Sequence, residues 1–155
     1  MLLSDYLSPD RVFCKLDCKD KPDLINKLVE RLQKSCPSIK KEEAVSNLLE
    51  KEGVFSTGVG GGVAIPHAVV SGLEKTVMAM ASLENGIDYK SVDNEPVKLV
   101  FLLLSPQGRT REHIKLLARI VRLCFERNFV EEMEAASDPR ALYDMVTAKD
   151  TSNPD

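Results

Sequence analysis

The stretch VKLVFLLL, residues Val97–Leu104, is a nearly continuous apolar run of strand length. Asp93-Asn94 precede it and Ser105–Gly108 follow it, and both are turn-forming sequences. Thr76–Leu83 is a second apolar run of the same kind. Strands that are buried on both faces have this uninterrupted apolar character, so the two runs predict the centre of a sheet that is covered on both sides.

Helical and strand patterns alternate through the rest of the chain. The predicted elements are a strand at Val12–Leu16, a helix from Asp20 to Pro37, a helix from its cap Ser38 to Gly53, a helix from about Thr110, and a last helix opened by Asp138-Pro139. We therefore predict a single α/β (α+β) domain, residues 1–147, whose mixed β-sheet carries helices on both faces. Residues 148–155 are nearly devoid of apolar side chains and are predicted to form a loose tail.

The segment between the second helix and the first long strand has a different pattern. Val54–Ser56 predicts a short strand, and the glycines within Gly58–Gly62 predict a sharply turning loop. Val63–His67 predicts another short strand, which ends at Pro66 because proline suits a strand terminus or an edge.

Composition excludes several classes of function. The chain has 155 residues, of which 43% are hydrophobic and 29% are charged, and its formal net charge is -3. This acidic balance argues against a general nucleic-acid-binding protein, which would be basic. The apolar runs are far shorter than the ~20 residues of a membrane-spanning helix, and the first residues lack the pattern of a secretory signal. We therefore expect a cytoplasmic protein that does not insert into the membrane.

The four cysteines, Cys14, Cys18, Cys36 and Cys124, do not suggest a metal centre. Three residues separate Cys14 from Cys18, which is not the spacing of a zinc or redox pair, and the expected cytoplasmic location favours free thiols. Cys124 lies at helical spacing among apolar residues and is predicted to belong to the core. The chain has only two histidines, and we predict no metal site and no cofactor.

His67 is the more informative of the two histidines. It directly follows Pro66. Ser56 and Thr57 supply hydroxyl groups upstream of it, and the backbone amides of the glycines can form an anion-binding concavity. A neutral imidazole near its usual pKa of about 6.5 is a competent nucleophile. A lone histidine is nevertheless more often a surface or hydrogen-bonded core residue than a catalyst, so both interpretations stay open on this evidence.

His113 falls in the first turn of the helix that is predicted to begin near Thr110. It lies four residues before Leu117 and seven before Ile120, on or beside the buried stripe. The free N–H groups and the dipole of a helix N-terminus favour an anion nearby. A histidine in this position suits a hydrogen bond to a phosphoryl group on His67, although the sequence alone does not bring the two residues together.

The region around His67 resembles a known signature. Glu52, followed after six residues by Val59-Gly60-x-x-Val63-Ala64-Ile65-Pro66-His67-Ala68, is similar to the phosphohistidine signature of the fructose/mannitol-type IIA domains. These domains belong to the bacterial phosphoenolpyruvate-dependent sugar phosphotransferase system. The resemblance extends from about Leu3 to Val146 and is greatest to the nitrogen-regulatory branch, in which the domain stands alone.

The resemblance implies that His67 accepts a phosphoryl group from a phosphorylated HPr-like carrier and that His113 supports this group. Ser56, Thr57 and Lys51 are expected to contact the phosphoryl group or the partner. In the nitrogen-regulatory branch the phosphorylation state regulates protein partners, so such a protein is a phosphotransferase component more than a turnover enzyme. Two alternatives remain: a sugar-specific IIA component that passes the phosphoryl group to a IIB domain, and a binding module that is not phosphorylated.

Two positions depart from the family pattern. Lys51 stands where the family commonly has arginine, and lysine cannot offer the bidentate fork of a guanidinium group. After His67 the branch often has glycine and then a basic residue, whereas this chain has Ala68-Val69-Val70. The rim of the site is therefore more apolar, and we expect the donor protein to dock on a rim that includes Phe55 and Val69.

Overall fold

A computed structural model describes residues 1–153, which fold around a six-stranded sheet. In chain order the elements are two 3-10 turns (Leu3–Asp5, Pro9–Arg11), β1 (Val12–Leu16), α1 (Lys21–Ser35), α2 (Lys41–Val54), β2 (Gly58–Gly60), β3 (Val63–Ala64), β4 (His67–Val69), β5 (Val77–Ile87), β6 (Val97–Ser105), α3 (Thr110–Cys124), α4 (Phe129–Ala135) and α5 (Pro139–Thr151). The strand order is β1-β5-β6-β3-β2, and β4 also pairs with β6. β5 and β6 are antiparallel, whereas β1 is parallel to β5, so the sheet is mixed.

The surroundings of strand β6 explain why the run Val97–Leu104 has no polar residue after Lys98. Its side chains alternate between two buried cores: Val100, Leu102 and Leu104 pack on the side of α1 and α2, while Leu99, Phe101 and Leu103 pack on the side of α3, α4 and α5. A strand that faces apolar neighbours on both sides needs apolar residues at successive positions. The predicted fold class, a mixed sheet with helices on both faces, is therefore confirmed.

Aspartate caps set two of the helix starts. Asp20 and Asp138 each accept a hydrogen bond from the backbone N–H three residues further on, and a proline lies in the first turn of both helices. Ser38, however, does not cap α2, which begins at Lys41 without a side-chain cap. Helix α4 was not predicted, because its seven residues are too few to show a periodic pattern. None of the helices within residues 1–153 has the length and apolar character needed to cross a membrane.

Helix α2 continues further than predicted. It runs to Val54, and the backbone N–H of Phe55 donates to the carbonyl oxygen of Lys51. The predicted strand at Val54–Ser56 is therefore wrong. Its apolar residues face outward instead of entering the sheet, since 71% of Val54 and 80% of Phe55 are exposed.

The glycine segment begins with a strand and not with a loop. Gly58–Gly60 forms β2, which is antiparallel to β3. At Gly58 a Cβ atom would lie 2.3 Å from the side-chain oxygen of Ser91, so only glycine lets the two segments approach this closely. The neighbouring backbones are joined by a hydrogen bond of 3.1 Å from the N–H of Val92 to the carbonyl oxygen of Gly58.

The predicted strand at Val63–His67 is divided in two. β3 ends at Ala64 and β4 begins at His67, and both strands are parallel to β6. Pro66 lies between them and has no N–H to donate, but its carbonyl oxygen accepts a hydrogen bond of 3.0 Å from the N–H of Leu103. His67 therefore opens a short strand instead of closing one.

The C-terminal end of the described chain is anchored. Helix α5 extends to Thr151, so the prediction of a loose tail is wrong for residues 148–151. The carboxylate of Asp150 is buried and accepts hydrogen bonds from Nε of Arg119 and from the backbone N–H of Leu3, each at 2.6 Å. The last two residues of the predicted tail, 154 and 155, lie outside the described residues.

Candidate functional site

His67 is held by strand β4 and by its own ring. Its backbone pairs with Leu103 of β6, and its Nδ1 lies 2.7 Å from the carbonyl oxygen of Ile65. A carbonyl oxygen can only accept, so Nδ1 of His67 carries the proton and donates. In the neutral ring this leaves the lone pair on Nε2, which is therefore the atom that is available for bond formation.

The surroundings of His67 keep its ring neutral. Burial lowers the pKa of His67 below the ordinary value of 6.5, and the charge of Lys51 lowers it further. The hydrogen bond to Ile65 and the charge of Glu52 raise the pKa, but the net direction is downward. At pH 7 the ring therefore has the unprotonated Nε2 that nucleophilic attack requires.

The second histidine lies beside the first. His113 is in the first turn of α3, and its ring centroid is 5.0 Å from that of His67, with the ring planes tilted by 55°. Its Nδ1 lies 2.7 Å from Oγ of Ser105. Its Nε2 is buried and has no hydrogen-bond partner within residues 1–153. The fold thus brings together two histidines that are 46 positions apart in the sequence, and it leaves one ring nitrogen unpaired.

His113 is also less basic than an ordinary histidine. Burial lowers its pKa to about 4, and the proximity of His67 and Lys51 contributes to the same direction. Both rings are therefore neutral at pH 7. A neutral imidazole carries a single N–H, so the ring nitrogen that holds it decides what each histidine can donate.

A cavity of about 550 Å³ opens beside His67. It lies between the end of α2, β2 and α3 and is lined by Lys51, Val54, Phe55, Ser56, Thr57, Val59, Ile65, His67, Leu117 and Val121. Most of these side chains are apolar, and Val54 and Phe55 are largely exposed at its mouth. An exposed apolar rim around a concave site is typical of a surface that another molecule covers.

Lys51 is the cationic residue in the lining of this cavity. Its charge lowers the pKa of both His67 and His113, so its ammonium group acts on both rings. The same positive charge would attract an anion that binds between the rings. Lysine acts here as a point charge, without the paired donors of an arginine.

The hydroxyl groups of Ser56 and Thr57 are engaged elsewhere, although both residues line the cavity. The hydroxyl of Ser56 donates to the carbonyl oxygen of Tyr89 at 2.8 Å, and that of Thr57 donates to the carboxylate of Glu52. Each hydroxyl has one hydrogen, which these acceptors already take. In this arrangement the two hydroxyl groups fix the loop, and a contact of Ser56 or Thr57 with the phosphoryl group or the partner stays a prediction.

Glu52 is the buried residue that organises this loop. Its Oε1 accepts hydrogen bonds of 3.0 Å from Nζ of Lys21 and from the backbone N–H of Thr57. The ammonium group of Lys21 also lies 4.1 Å from the centre of the Tyr89 ring. Glu52 therefore joins the first turn of α1 and the last turn of α2 to the loop that leads towards β2.

The backbone amide of Gly61 is already bound to an anionic side chain of the protein. Gly60, Gly61 and Gly62 all have positive φ angles, but the N–H of Gly61 donates to the carboxylate of Asp93 at 2.9 Å. The anion at this amide is therefore a side chain of the protein itself. Within residues 1–153, no cluster of three or more His, Cys, Asp or Glu side chains is placed to hold a metal ion.

The polar cluster of Thr76, Ser105 and Glu112 beside His113 was not predicted from the sequence. The hydroxyl of Thr76 donates to Oε1 of Glu112 at 2.9 Å, and its oxygen lies 3.1 Å from Oγ of Ser105. Thr76 and Ser105 are both almost fully buried. Thr76 comes directly before β5 and Ser105 ends the antiparallel strand β6, with Val77 opposite Leu104 in the register. The available signal was a hydroxyl residue at the end of each apolar run, but its meaning depends on that register.

The comparisons with known proteins bear on the same residues. The family model for "Phosphoenolpyruvate-dependent sugar phosphotransferase system, EIIA 2" matches residues 5–149. The chain belongs to this family. The match includes every strand of the sheet and both histidines, so the resemblance stated from the signature around His67 is confirmed.

This EIIA 2 protein has relatives with regulatory and with sugar-specific names. A "Nitrogen regulatory protein" from Bradyrhizobium diazoefficiens is 35% identical over 147 residues, which are 94% of this chain and 95% of the relative. A "PTS system fructose-specific EIIA component" from Haloferax volcanii is 32% identical over 106 residues, 68% of this chain and 69% of the relative. The crystal structure of nitrogen regulatory protein IIA-Ntr from Neisseria meningitidis has the same fold, with a TM-score of 0.86 at 24% identity over 94% of this chain and 99% of that chain.

Proposed function

We propose that this EIIA 2 protein is a histidine phosphocarrier with a regulatory output. His67 accepts a phosphoryl group from a phosphorylated HPr-like carrier, and the phosphorylation state then controls the binding of protein partners. The observation that carries the proposal is the hydrogen bond between Nδ1 of His67 and the carbonyl of Ile65, since it leaves the Nε2 lone pair at an open cavity. The nitrogen regulatory relative, matched over 94% of this chain, supports the regulatory output. A cytoplasmic location stays a prediction.

The proposed transfer is an in-line substitution at phosphorus. A bond forms between Nε2 of His67 and phosphorus while the bond from phosphorus to the donor histidine breaks, and its electron pair returns to the donor ring. The proton stays on Nδ1 of His67, and this N–H donates a hydrogen bond to the carbonyl oxygen of Ile65. The hydrogen bond stabilises the positive charge that the ring gains when Nε2 binds phosphorus. Phosphoryl-transfer transition states are loose in most accounts, so positioning and electrostatics contribute most of the catalysis.

Lys51 and His113 have the supporting roles in this mechanism. The ammonium group of Lys51 supplies positive charge beside the transferring group, and Nε2 of His113 forms a hydrogen bond with a phosphoryl oxygen. The short distance between the two rings, 5.0 Å between centroids, supports this assignment. So does the absence of any other partner for Nε2 of His113 within the described residues.

The apolar rim of the cavity is the proposed docking surface for the donor and for the regulated partners. Val54 and Phe55 line this cavity and are exposed in the free protein. Val69 lies outside the cavity lining, but it is exposed two residues after His67 and extends the proposed surface. Phosphorylation adds roughly -1.5 to -2 charges beside this rim. Such a change in charge at a mostly apolar surface alters the affinity for a partner, which is how the phosphorylation state becomes a signal.

The experiment that tests the proposal measures intact mass. The purified protein is incubated with phosphoenolpyruvate, enzyme I and an HPr-like carrier, and its mass is read before and after brief acid treatment. We expect the gain of one acid-labile phosphoryl group in the wild type and none in His67→Ala. Full phosphorylation of His67→Ala would overturn the assignment, and no gain from any cognate carrier would favour the unphosphorylated binding module.

A sugar-specific role is the second candidate function, and the fructose-specific relative favours it. In that role the phosphoryl group passes from His67 to a cysteine of a IIB domain. The phosphorylated protein is therefore mixed with a cognate IIB domain, and both masses are followed. Rapid loss of the group from this chain with a matching gain on IIB would support the sugar-specific role, whereas retention of the group supports the regulatory one.

A further inference from the structure

Nε2 of His113 is a buried ring nitrogen with no hydrogen-bond partner within residues 1–153. Leaving a buried polar group unpaired costs about 1–3 kcal/mol, so such a group in a folded protein calls for an explanation. The nitrogen lies in the ring next to His67. If a phosphoryl oxygen on His67 is its intended partner, Nε2 must carry the proton, because an oxygen of a phosphoryl dianion can only accept.

Protonation of the whole ring does not provide this proton, because His113 is neutral at pH 7, with a pKa of about 4. The neutral ring has one N–H, on either Nδ1 or Nε2. The group that contacts Nδ1 therefore decides whether Nε2 can donate. Within the described residues that group is the hydroxyl of Ser105, 2.7 Å away.

The neighbours of Ser105 direct its hydroxyl hydrogen. A carboxylate can only accept, so the single hydrogen of the Thr76 hydroxyl goes to Glu112 at 2.9 Å. The Ser105 hydroxyl then has two acceptors within reach, Oγ1 of Thr76 at 3.1 Å and Nδ1 of His113 at 2.7 Å. The shorter of these contacts directs the Ser105 hydrogen to Nδ1 of His113. When Nδ1 accepts, the proton of the neutral ring lies on Nε2.

The backbone of Ser105 is fixed by the strand that carries His67. Ser105 is paired with Val69 of β4, and its carbonyl oxygen accepts the N–H of Val70 at 2.9 Å. Strand β4 begins at His67. One strand pairing therefore sets the position of the nucleophile and that of the hydroxyl that holds the second histidine.

We propose that Ser105 is a positioning residue for phosphoryl transfer: its hydroxyl donates to Nδ1 of His113 and fixes the tautomer whose Nε2–H faces the phosphoryl group on His67. This inference rests on the proposed function, since it assigns a donor to the phosphoryl group. Thr76 lies on the other side of Ser105, and its oxygen is the competing acceptor for the Ser105 hydrogen. The Ser105 hydroxyl does not touch the transferring group, so it acts through His113.

The test combines the tautomer with the rate. The nitrogen-15 shifts of the His113 ring are measured in the unphosphorylated protein at neutral pH, and the rate of phosphoryl gain is measured with a limiting amount of HPr-like carrier. Ser105→Ala removes the hydroxyl. Ser82→Ala is the matched control, because Ser82 is an equally buried serine of β5 whose hydroxyl contacts Cys14 and the backbone of Lys15 instead.

We expect the wild type and Ser82→Ala to have the proton of His113 on Nε2. In Ser105→Ala we expect a mixture of both tautomers and a rate that is lower by about tenfold, as is typical when a residue that orients a functional histidine is lost. The final extent of phosphorylation should not change. A wild-type ring with its proton on Nδ1, or a Ser105→Ala variant with unchanged tautomer and rate, would overturn the proposal.

Thr76 provides a second route if Ser105→Ala does not fold. Thr76→Val removes the competing acceptor at nearly constant volume, so the Ser105 hydroxyl should still donate to Nδ1 and the proton of His113 should stay on Nε2. Thr76→Ser keeps the hydroxyl and should also resemble the wild type. A Thr76→Val variant with the proton of His113 on Nδ1 would contradict the proposal. A wild type that accepts no phosphoryl group would instead refute the proposed function, while the tautomer still reports on the contact between Ser105 and His113.

Discussion

The rings of His67 and His113 lie 5.0 Å apart between centroids, and each is held through its Nδ1. Nδ1 of His67 is 2.7 Å from the carbonyl oxygen of Ile65, and Nδ1 of His113 is 2.7 Å from the hydroxyl of Ser105. The two contacts allow opposite roles for the rings, because a carbonyl can only accept whereas a hydroxyl can also donate. Adjacent neutral histidines can therefore differ at Nε2, where one offers a lone pair and the other a proton.

Replacing His113 with alanine should slow phosphoryl transfer without preventing it. The variant loses one donor to the transferring group, and the loss of a donor of this kind typically lowers a rate by roughly 10²-fold. His67 and its bond to Ile65 are unaffected, so the same final mass should be reached. Timed quenching followed by intact-mass measurement gives the rate. A variant as fast as the wild type would remove His113 from the mechanism.

The pH dependence of stability should contain a contribution from His113. The unfolded chain binds a proton at this residue near its ordinary pKa of 6.5, whereas the folded chain does so only near 4. The unfolded state therefore binds more protons between these values, and folding stability falls as the pH drops from about 6.5 towards 4. Because the residue is half-buried, we expect a contribution on the order of 1–2 kcal/mol.

The measurement for this prediction is urea unfolding of the wild type and of His113→Gln at neutral pH and near pH 4. Both proteins contain the same carboxylates, so the difference between their pH profiles isolates His113. The free energy of unfolding of the variant should fall less than that of the wild type. Parallel profiles would show that the pKa of His113 is not lowered by folding.

Glu52 should be far more important for stability than an exposed glutamate of the same helix. Glu52→Ala leaves the ammonium group of Lys21 and two donors of Thr57 without their acceptor. Removing one partner of a buried ion pair costs about 3–5 kcal/mol. Glu50→Ala changes an exposed residue of α2 and should cost about 0.5 kcal/mol or less. Chemical denaturation measures both, and equal effects would contradict the role given to Glu52.

Asp150 should anchor the C-terminal turn of α5. Its carboxylate is bound to Arg119 and to the backbone of Leu3, so Asp150→Ala should destabilise the protein by about 3–5 kcal/mol. Asp144→Ala is the control on the same helix, because the ion pair of Asp144 with Arg140 is exposed and is worth about 1 kcal/mol or less. If the free energies of unfolding of the two variants agree, the end of α5 is not anchored as described.

The centre of the fold could be predicted because β5 and β6 face apolar cores on both sides. Strands in this position need apolar residues at consecutive positions, and such runs are visible in the sequence. The segment from Val54 to Val69 gave no such signal. Its strands have two or three residues each, and the closeness of Gly58 to Ser91 is a contact across 33 positions that no local pattern contains. The buried pair of Arg119 and Asp150 was invisible for the same reason, since a charged residue near the chain end has the pattern of a tail.

The two histidines of the site could be proposed from the sequence, but the direction of each hydroxyl group could not. Ser56 and Thr57 were expected to contact the phosphoryl group or the partner, and in this structure their hydroxyl hydrogens go to Tyr89 and Glu52. Ser105, by contrast, looked like part of a turn, and its contact with His113 follows from the pairing of strands. The hydrogen of a hydroxyl group goes to the acceptor that lies nearest, and the tertiary structure determines which acceptor that is.

The central claim is that Nε2 of His67 is the atom that receives the phosphoryl group. The most direct measurement is the phosphorus–nitrogen coupling in the NMR spectrum of the protein labelled with nitrogen-15 on its histidine rings and phosphorylated by its HPr-like carrier. We predict a single phosphorus nucleus coupled to Nε2 of His67, with Nδ1 still protonated and bonded to Ile65. Coupling to Nδ1 of His67, or to either nitrogen of His113, would contradict the account.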